Sequence, residues 1–509
     1  MDSLRIRNLR SLKDTGHIKF KGINVFVGQN SSGKSSFVRT LPLLKQSAQV
    51  KTISDILWYG PFVDFGSFDE ALSRTSSAEE IDFTFTMRVR FRRNRYRPMS
   101  GVRSSGSLFL PIRLRLCLKA ETDQKKRLMR TQYDLTLFGH QIRLSLDENL
   151  NVKQFLCNDL DLTAEAVEEF TLFRHFGLLP GVAIASEFDN EVSAFNQKIS
   201  STLSQYVHAN KAKSELLKVA SELQIGTFDA ILEQLRNVNL GVFWNNRTAE
   251  WTTETPALRQ IATFVLASRF HDIFEAVDDH ITETSRLTQY VTPLRATAER
   301  YYRSQGLSVD EIDPQGRNLA MFLKNLSEYD ANRFADWTAQ HMGFEVRAET
   351  LQGHVSVVLS DPGKLQRVNL ADTGFGYSQV LPILAQLWQI TQKKHYSAAP
   401  RYFVIEQPEL HLHPRMQARL AEIFVNLAKL DKSQKSKLPK FRILIETHSE
   451  AIINQLGKAV ETGNLSPDDV GIYLFEKNGF EGDTIVRESK FDKEGYLTDW
   501  PYGFFDATN

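Results

Sequence analysis

Only two of the 509 residues are cysteines, Cys117 and Cys157. That excludes a disulfide framework and a cysteine-built metal cluster, and it points to a reducing cytoplasm. Neither charge sign is in surplus: 62 Lys and Arg against 61 Asp and Glu leave a formal +1. A balance like that argues against a whole-surface nucleic-acid or membrane coat, although local patches survive the average. No apolar run reaches membrane-spanning length. The first ten residues are charged and carry no export-type apolar stretch. Internal repeats, low-complexity tracts and sustained heptads are missing too, which excludes a solenoid and a long coiled-coil arm. The remaining class is a soluble globular chain, long enough for two or three domains.

What is present begins near the start. Gly28-Gln29-Asn30-Ser31-Ser32-Gly33-Lys34-Ser35 fits G-x-x-x-x-G-K-[ST] without a mismatch. The apolar run Ile23–Val27 enters it as a buried strand, and Ser36-Phe37-Val38-Arg39 leaves it as a helix start. Glycines let the backbone wrap a phosphate with its N–H groups, and the following helix adds a positive dipole end. Gly28, Asn30, Ser31, Ser32, Gly33, Lys34, Ser35 and Ser36 are therefore the candidate phosphate cradle. In the usual chemistry of this loop Lys34 reaches the β- and γ-phosphates of ATP and the Ser35 hydroxyl ligates Mg²⁺.

Three regions follow from the patterning. Residues 1–162 hold the loop and then β-rich sequence, in which Ile81–Phe85, Ile112–Leu116 and Ile142–Leu146 alternate with period two, as half-buried antiparallel strands do. Residues 163–345 read as a compact helical insertion, with helices over 164–170, 212–224, 257–276 and 331–342. Residues 346–509 return to strand–helix alternation, where Val355–Leu359, Tyr402–Ile405 and Ile443–Ile445 are short apolar strands of a covered parallel sheet. Asp431–Lys440 is the one charged stretch expected to be a flexible loop.

The last region carries the second half of a nucleotide site. Phe403-Val404-Ile405-Glu406 is an apolar strand ending in the carboxylate that a Walker B strand uses to hold Mg²⁺. Ile443-Leu444-Ile445-Glu446-Thr447-His448 is another, delivering a histidine at the strand edge where ligands bind in doubly wound sheets. Gly374, Gly376 and Ser378 precede a helix expected over 378–390, with Pro382 in its first turn. One triphosphate does not need two anion cradles from one molecule, so a head-to-tail homodimer or larger oligomer is the economical arrangement.

These residues resemble the ABC-type ATPase heads of chromosome-maintenance and RecF-like proteins. More closely, Glu406-Gln407-Pro408-Glu409-Leu410-His411-Leu412-His413-Pro414 with Glu446-Thr447-His448-Ser449 is similar to the bacterial AAA-family ATPases of overcoming-lysogenization and anti-phage defence type. The turn Gly374–Pro382, the closing Trp500–Asp506 and Asp64-Phe65-Gly66-Ser67 share that resemblance. It implies an α/β fold: an ABC-type head with a parallel sheet core, an antiparallel β lobe and an inserted helical domain. It also implies Lys34 and Ser35 for phosphate and metal, Glu406 as the Walker B ligand, Gly376 and Ser378 as the signature, and His448 as the switch histidine. The cofactors are then ATP and Mg²⁺, and a separate effector protein is the implied partner in defence.

One departure stands out. Where ABC-type ATPases place a glutamate after the Walker B acid, this chain has Gln407, which can orient water but cannot accept its proton. Either turnover is slow and ATP acts as a clamp, or Glu409 or His448 becomes the base, or the glutamine was introduced to trap the bound state. The roughly sixty residues after His448 are too few for an appended nuclease domain. His411 and His413 read as positioning residues. Arg88, Arg90, Arg92 and Arg95 form the densest basic cluster, a candidate phosphate-contacting face for nucleic acid or an acidic protein. The alternatives to a defence sensor are a DNA-repair clamp using that face and a scaffold with structural nucleotide.

Overall fold

The computed structural model describes residues 1–74, 79–91, 108–123, 126–185, 192–306, 308–309, 311–392, 399–432, 441–477 and 482–500. Arg92, Arg95, the stretch 501–506 of the closing motif and most of Asp431–Lys440 lie outside them. The described chain forms two compact units, each assembled from separate segments.

One unit comprises Met1–Leu9, Ser47–Leu57 and Ser76–Glu283. The period-two stretches become an antiparallel meander. Its strands Glu80–Phe91, Leu108–Asp123, Lys126–Leu137, His140–Leu146 and Val152–Cys157 pair in sequence order, and Ser3–Leu9 lies on the outer side of Glu80–Phe91. Alternation sends Phe83, Phe85, Leu114, Leu116 and Leu144 inward. The helices Thr163–Glu169, Ala194–Ser204, Lys213–Glu222, Phe228–Asn237, Val242–Ala249, Pro256–Ser268 and Phe270–Arg286 follow.

The other unit comprises Arg10–Gln46, Trp58–Thr75 and Thr284–Asn509. Its central sheet runs in the order Gln289–Val291, Arg401–Glu406, Phe441–Glu446, Ile23–Gly28, Val470–Lys477, Thr484–Phe491 and Leu497–Thr498. The first five strands are mutually parallel and the last two antiparallel. Ile23–Gly28 and Arg401–Glu406 are buried along their whole length, as strands covered on both faces must be. Asn24 survives there because its amide accepts from Lys21 N–H at 2.8 Å and donates to the Ile443 carbonyl at 3.1 Å.

Three expectations need correction. Val355–Leu359 belongs to a small antiparallel sheet, within His354–Ser360 paired with Glu345–Leu351, and not to the parallel sheet. A short apolar run looks the same in either context, and only its pairing partner decides. The stretch read as a helical insertion supplies Gln289–Val291, which pairs in parallel with the Glu406 strand. Finally, the helix expected from Ser378 starts one turn earlier, at Phe375, and runs to Gln392. Pro382 is therefore an interior residue of that helix and leaves the Ser378 carbonyl without its usual i+4 donor. No helix among the described residues is long and apolar enough to cross a membrane.

Candidate nucleotide site

Every residue of this site lies in the unit holding Arg10–Gln46 and Thr284–Asn509. Parallel register sets the stage: Glu406 lies beside Glu446, and Glu446 beside Phe26, two residues before Gly28. The phosphate loop and both strand-end carboxylates therefore share the C-terminal edge of one sheet. Within the loop, Gly28, Ser31 and Gly33 have φ of 147°, 61° and 90°. A Cβ at Gly28 would stand 2.1 Å from the Phe475 carbonyl oxygen, so glycine there is a steric requirement. Lys34 is buried, and its Nζ donates to the Gly28 and Gln29 carbonyls at 2.9 and 2.7 Å. Burial lowers its pKa. Ser32 is anchored, its hydroxyl donating to Gln29 O at 2.7 Å and its carbonyl accepting from Thr484 at 2.9 Å. Asn30 and Ser31 are exposed at the loop tip, and Ser36 is buried one turn on.

The two carboxylates have different surroundings. Glu406 is 1 % exposed. Its Oε1 accepts from Arg39 Nε at 2.8 Å and from the Tyr290 hydroxyl at 2.6 Å, and its Oε2 accepts from Arg39 Nη2 at 2.7 Å. The Ser35 hydroxyl goes instead to Glu446, donating to Oε1 at 2.7 Å, while Oε2 of Glu446 is buried without a partner. Burial and the neighbouring Glu406 charge push Glu446 up to about 7. The sequence expectation paired Ser35 with Glu406; the structure brings Ser35 to Glu446.

Beyond the carboxylates, Gln407 has φ of 44°, and its N–H donates to the Glu446 carbonyl at 2.7 Å. Buried Arg295 fixes that turn, Nη2 donating to the carbonyls of Glu406 at 2.9 Å and Gln407 at 3.3 Å. Burial lowers Arg295 to about 10. Glu409, a candidate base, already accepts from Thr447 Oγ1 at 2.8 Å and from the His448 N–H at 2.7 Å. It clamps the His448 turn. The His448 side chain is exposed, and partial burial and then the Lys34 charge lower its pKa. The helix after it, Glu450–Glu461, is capped by Ser449, whose Oγ accepts from Ile452 N–H at 3.1 Å.

The signature turn is differently placed from its expected form. Ser378 is buried in the first turn of its helix and donates to Phe375 O at 2.8 Å, while Gly374 and Phe375 are exposed. A Cβ at Gly376 would lie 2.7 Å from the His411 carbonyl oxygen, so the turn is pressed against the segment after Gln407. The Phe375 and His411 rings are 5.7 Å apart. Asp64–Ser67 is a capped turn: Ser67 and Glu70 form a reciprocal capping box, and Gly66 has φ of 76°.

The donor set fits ATP with Mg²⁺. A positive-φ loop offers backbone N–H groups to phosphate, Lys34 supplies a cation, and Ser35 sits beside a carboxylate with an orphaned oxygen. When bound, Mg²⁺ supplies charge neutralisation across the β- and γ-phosphates. Glu446, Arg39, Tyr290 and Arg295 were missed by sequence reasoning; Glu446 ends the strand that was read only for its histidine. Arg39 lies five residues past Lys34 and could have been suspected from that spacing, whereas Tyr290 and Arg295 carry no local signal.

Residues 1–453 match the family model described as an AAA ATPase domain. The chain belongs to that family. Residues 465–509 of this AAA ATPase match a second family, described as a protein of unknown function, DUF3696. No curated protein matches the AAA ATPase. Among solved structures it is similar to an Smc head domain with an extended coiled coil bound to the C-terminal domain of ScpA, from Pyrococcus furiosus, at 11% identity and TM-score 0.31, covering 96% of this chain and 95% of that one. It is also similar to the SMC head domain from Thermotoga maritima, at 10% identity and TM-score 0.32, covering 96% and 98%. The recombination mediator RecF with ATPγS is a third, at 12% identity and TM-score 0.26, covering 96% and 97%. At such scores none of the three adds to the family assignment.

Proposed function

We propose that this AAA ATPase binds ATP with Mg²⁺ at the Lys34 loop and forms ATP-sandwiched head-to-tail dimers. In each pair the Gly376–Ser378 turn of one copy covers nucleotide held by the other. The dimer acts as a sensor or clamp controlling a separate effector, a nuclease, in bacterial anti-phage defence. One observation carries the nucleotide part: the phosphate loop, two strand-end carboxylates and exposed His448 meet at one sheet edge. Support for the covering turn is its exposed leading residues, Gly374 and Phe375. The effector and the defence setting rest on the family resemblance alone. Gln407 favours slow turnover, since its amide cannot take a proton from water.

The test is sedimentation with and without Mg-ATP. Wild type should pass from monomer to dimer on ATP, and K34A should not. A wild type that stays monomeric at saturating nucleotide, or a K34A protein that dimerises equally, overturns the sandwich.

A second reading has its own support. Arg90 and Arg113 are exposed on one sheet face, beside Arg88, whose Nε lies 3.5 Å from Asp2 Oδ2. Arg115 is instead absorbed by Asp82 and Asp134 at 2.9 and 3.1 Å. Direct DNA clamping through Arg88, Arg90, Arg92 and Arg95 predicts salt-dependent binding that weakens when these charges are removed. Unchanged DNA affinity in the charge-removed protein eliminates it.

A further inference from the structure

We propose that Glu446, and not Glu406, is the carboxylate that holds Mg²⁺ with Ser35 when nucleotide is bound; the assignment rests on the ATP-site reading above. A divalent cation seeks oxygen lone pairs not already engaged by donors. Glu406 offers few. Arg39 and Tyr290 place three hydrogen bonds on its two oxygens, at 2.8, 2.6 and 2.7 Å. Glu446 is the opposite case. One oxygen already receives the Ser35 hydroxyl, and the other is buried without any donor in a side chain only 3 % exposed. An unmet buried carboxylate oxygen is costly to leave so, and a cation or a water bound to it relieves that cost.

The division of labour follows from the strands. Arg401–Glu406 and Phe441–Glu446 present their last residues side by side, but Phe441–Glu446 is the one adjacent to Ile23–Gly28, the strand that enters the loop. Glu446 is thus one strand nearer to the strand that enters the phosphate loop. Glu406, the more distant acid, fixes Arg39 on the chain leaving the loop and takes the Tyr290 hydroxyl from the neighbouring strand Gln289–Val291. It acts as a structural anchor beneath the site.

The test is a titration of a fluorescent non-hydrolysable ATP analogue, with Mg²⁺ and with chelator, against wild type, E446Q, E406Q and Y290F. E446Q keeps an acceptor for the Ser35 hydroxyl and introduces no charge, so the fold tolerates it; ligand-free thermal unfolding of each variant checks this. In wild type Mg²⁺ should tighten binding. E446Q should lose that Mg²⁺-dependent gain, read as each protein's own ratio of affinity with Mg²⁺ to affinity in chelator, by about ten- to a hundredfold. E406Q and Y290F should keep the gain. Should E406Q fail to fold, the contrast between E446Q and Y290F decides. An undiminished gain in E446Q, or a gain lost in E406Q or Y290F proteins that fold, overturns the assignment. A wild type that binds no analogue in either condition overturns the ATP-site reading itself, and this assignment with it.

Discussion

Replacing Glu446 by glutamine should change how the stability of this protein depends on pH. Two glutamates end adjacent strands, Glu406 and Glu446, and only Glu406 has an arginine hydrogen-bonded to it. Burial first, and the Glu406 charge second, raise Glu446 from 4.5 to about 7. A folded chain that keeps this proton up to about pH 7, against an unfolded chain that releases it near 4.5, is favoured at low pH. The stabilisation is fully present below about pH 4.5 and is lost as pH rises through about 7. At about 1.4 kcal/mol per pH decade the loss amounts to about 3 kcal/mol. E446Q is neutral throughout, so its advantage over wild type should grow by that amount between pH 4.5 and pH 8 and then stay level. Calorimetry of both ligand-free proteins across this range reads the effect as a widening gap between midpoints, about 2–4 °C for each kcal/mol. Midpoints that run parallel from pH 4.5 to pH 8 would show that Glu446 is ionised in the folded protein at acid pH, and the account of two crowded carboxylates would fail.

Further outcomes follow from single contacts. Gly28→Ala places a Cβ 2.1 Å from the Phe475 carbonyl oxygen at φ of 147°, and should cost at least about 3 kcal/mol in thermal unfolding. Gly374→Ala meets nothing within 4 Å and should cost under about 1 kcal/mol; equal losses would refute the steric argument. Glu409→Ala strips acceptors from Thr447 and the His448 N–H, for a loss of about 1–3 kcal/mol. Amide exchange at His448 should quicken, and unaltered protection would mean that Glu409 is not the clamp. Gln407→Glu restores a proton acceptor and should raise steady-state phosphate release by about a hundredfold or more; an unchanged rate would place the limiting step elsewhere.

Local features were legible and distant ones were not. The phosphate loop could be read outright because its eight residues are consecutive and its strand-before, helix-after context is written beside it. The paired strands ending at Glu406 and Glu446 were legible for the same reason: strands buried on both faces must be uninterrupted apolar runs. The turn before Pro382 was recognised but displaced by one helical turn, because a helix start is fixed by competing local hydrogen bonds that glycine and serine patterns only weakly specify. Ser378 consequently faces its own helix through the Phe375 carbonyl. Val355–Leu359 was correctly an apolar strand and wrongly a parallel one.

The amino-acid order alone determined that a phosphate loop exists, which residues form it, and that one acidic strand end, Glu406, and a histidine, His448, accompany it, since each is a short-range pattern imposed by backbone geometry. Which acid stands beside Ser35 was decided only by the tertiary structure. Strand order puts Phe441–Glu446 between the loop strand and the Glu406 strand. Chain folding brings Arg39, Tyr290 and Arg295 to Glu406 across 367, 116 and 111 residues of sequence. Charge compensation acts over a few ångströms of space, whatever the separation along the chain, so the partner that neutralises a carboxylate becomes visible only once the sheet has formed.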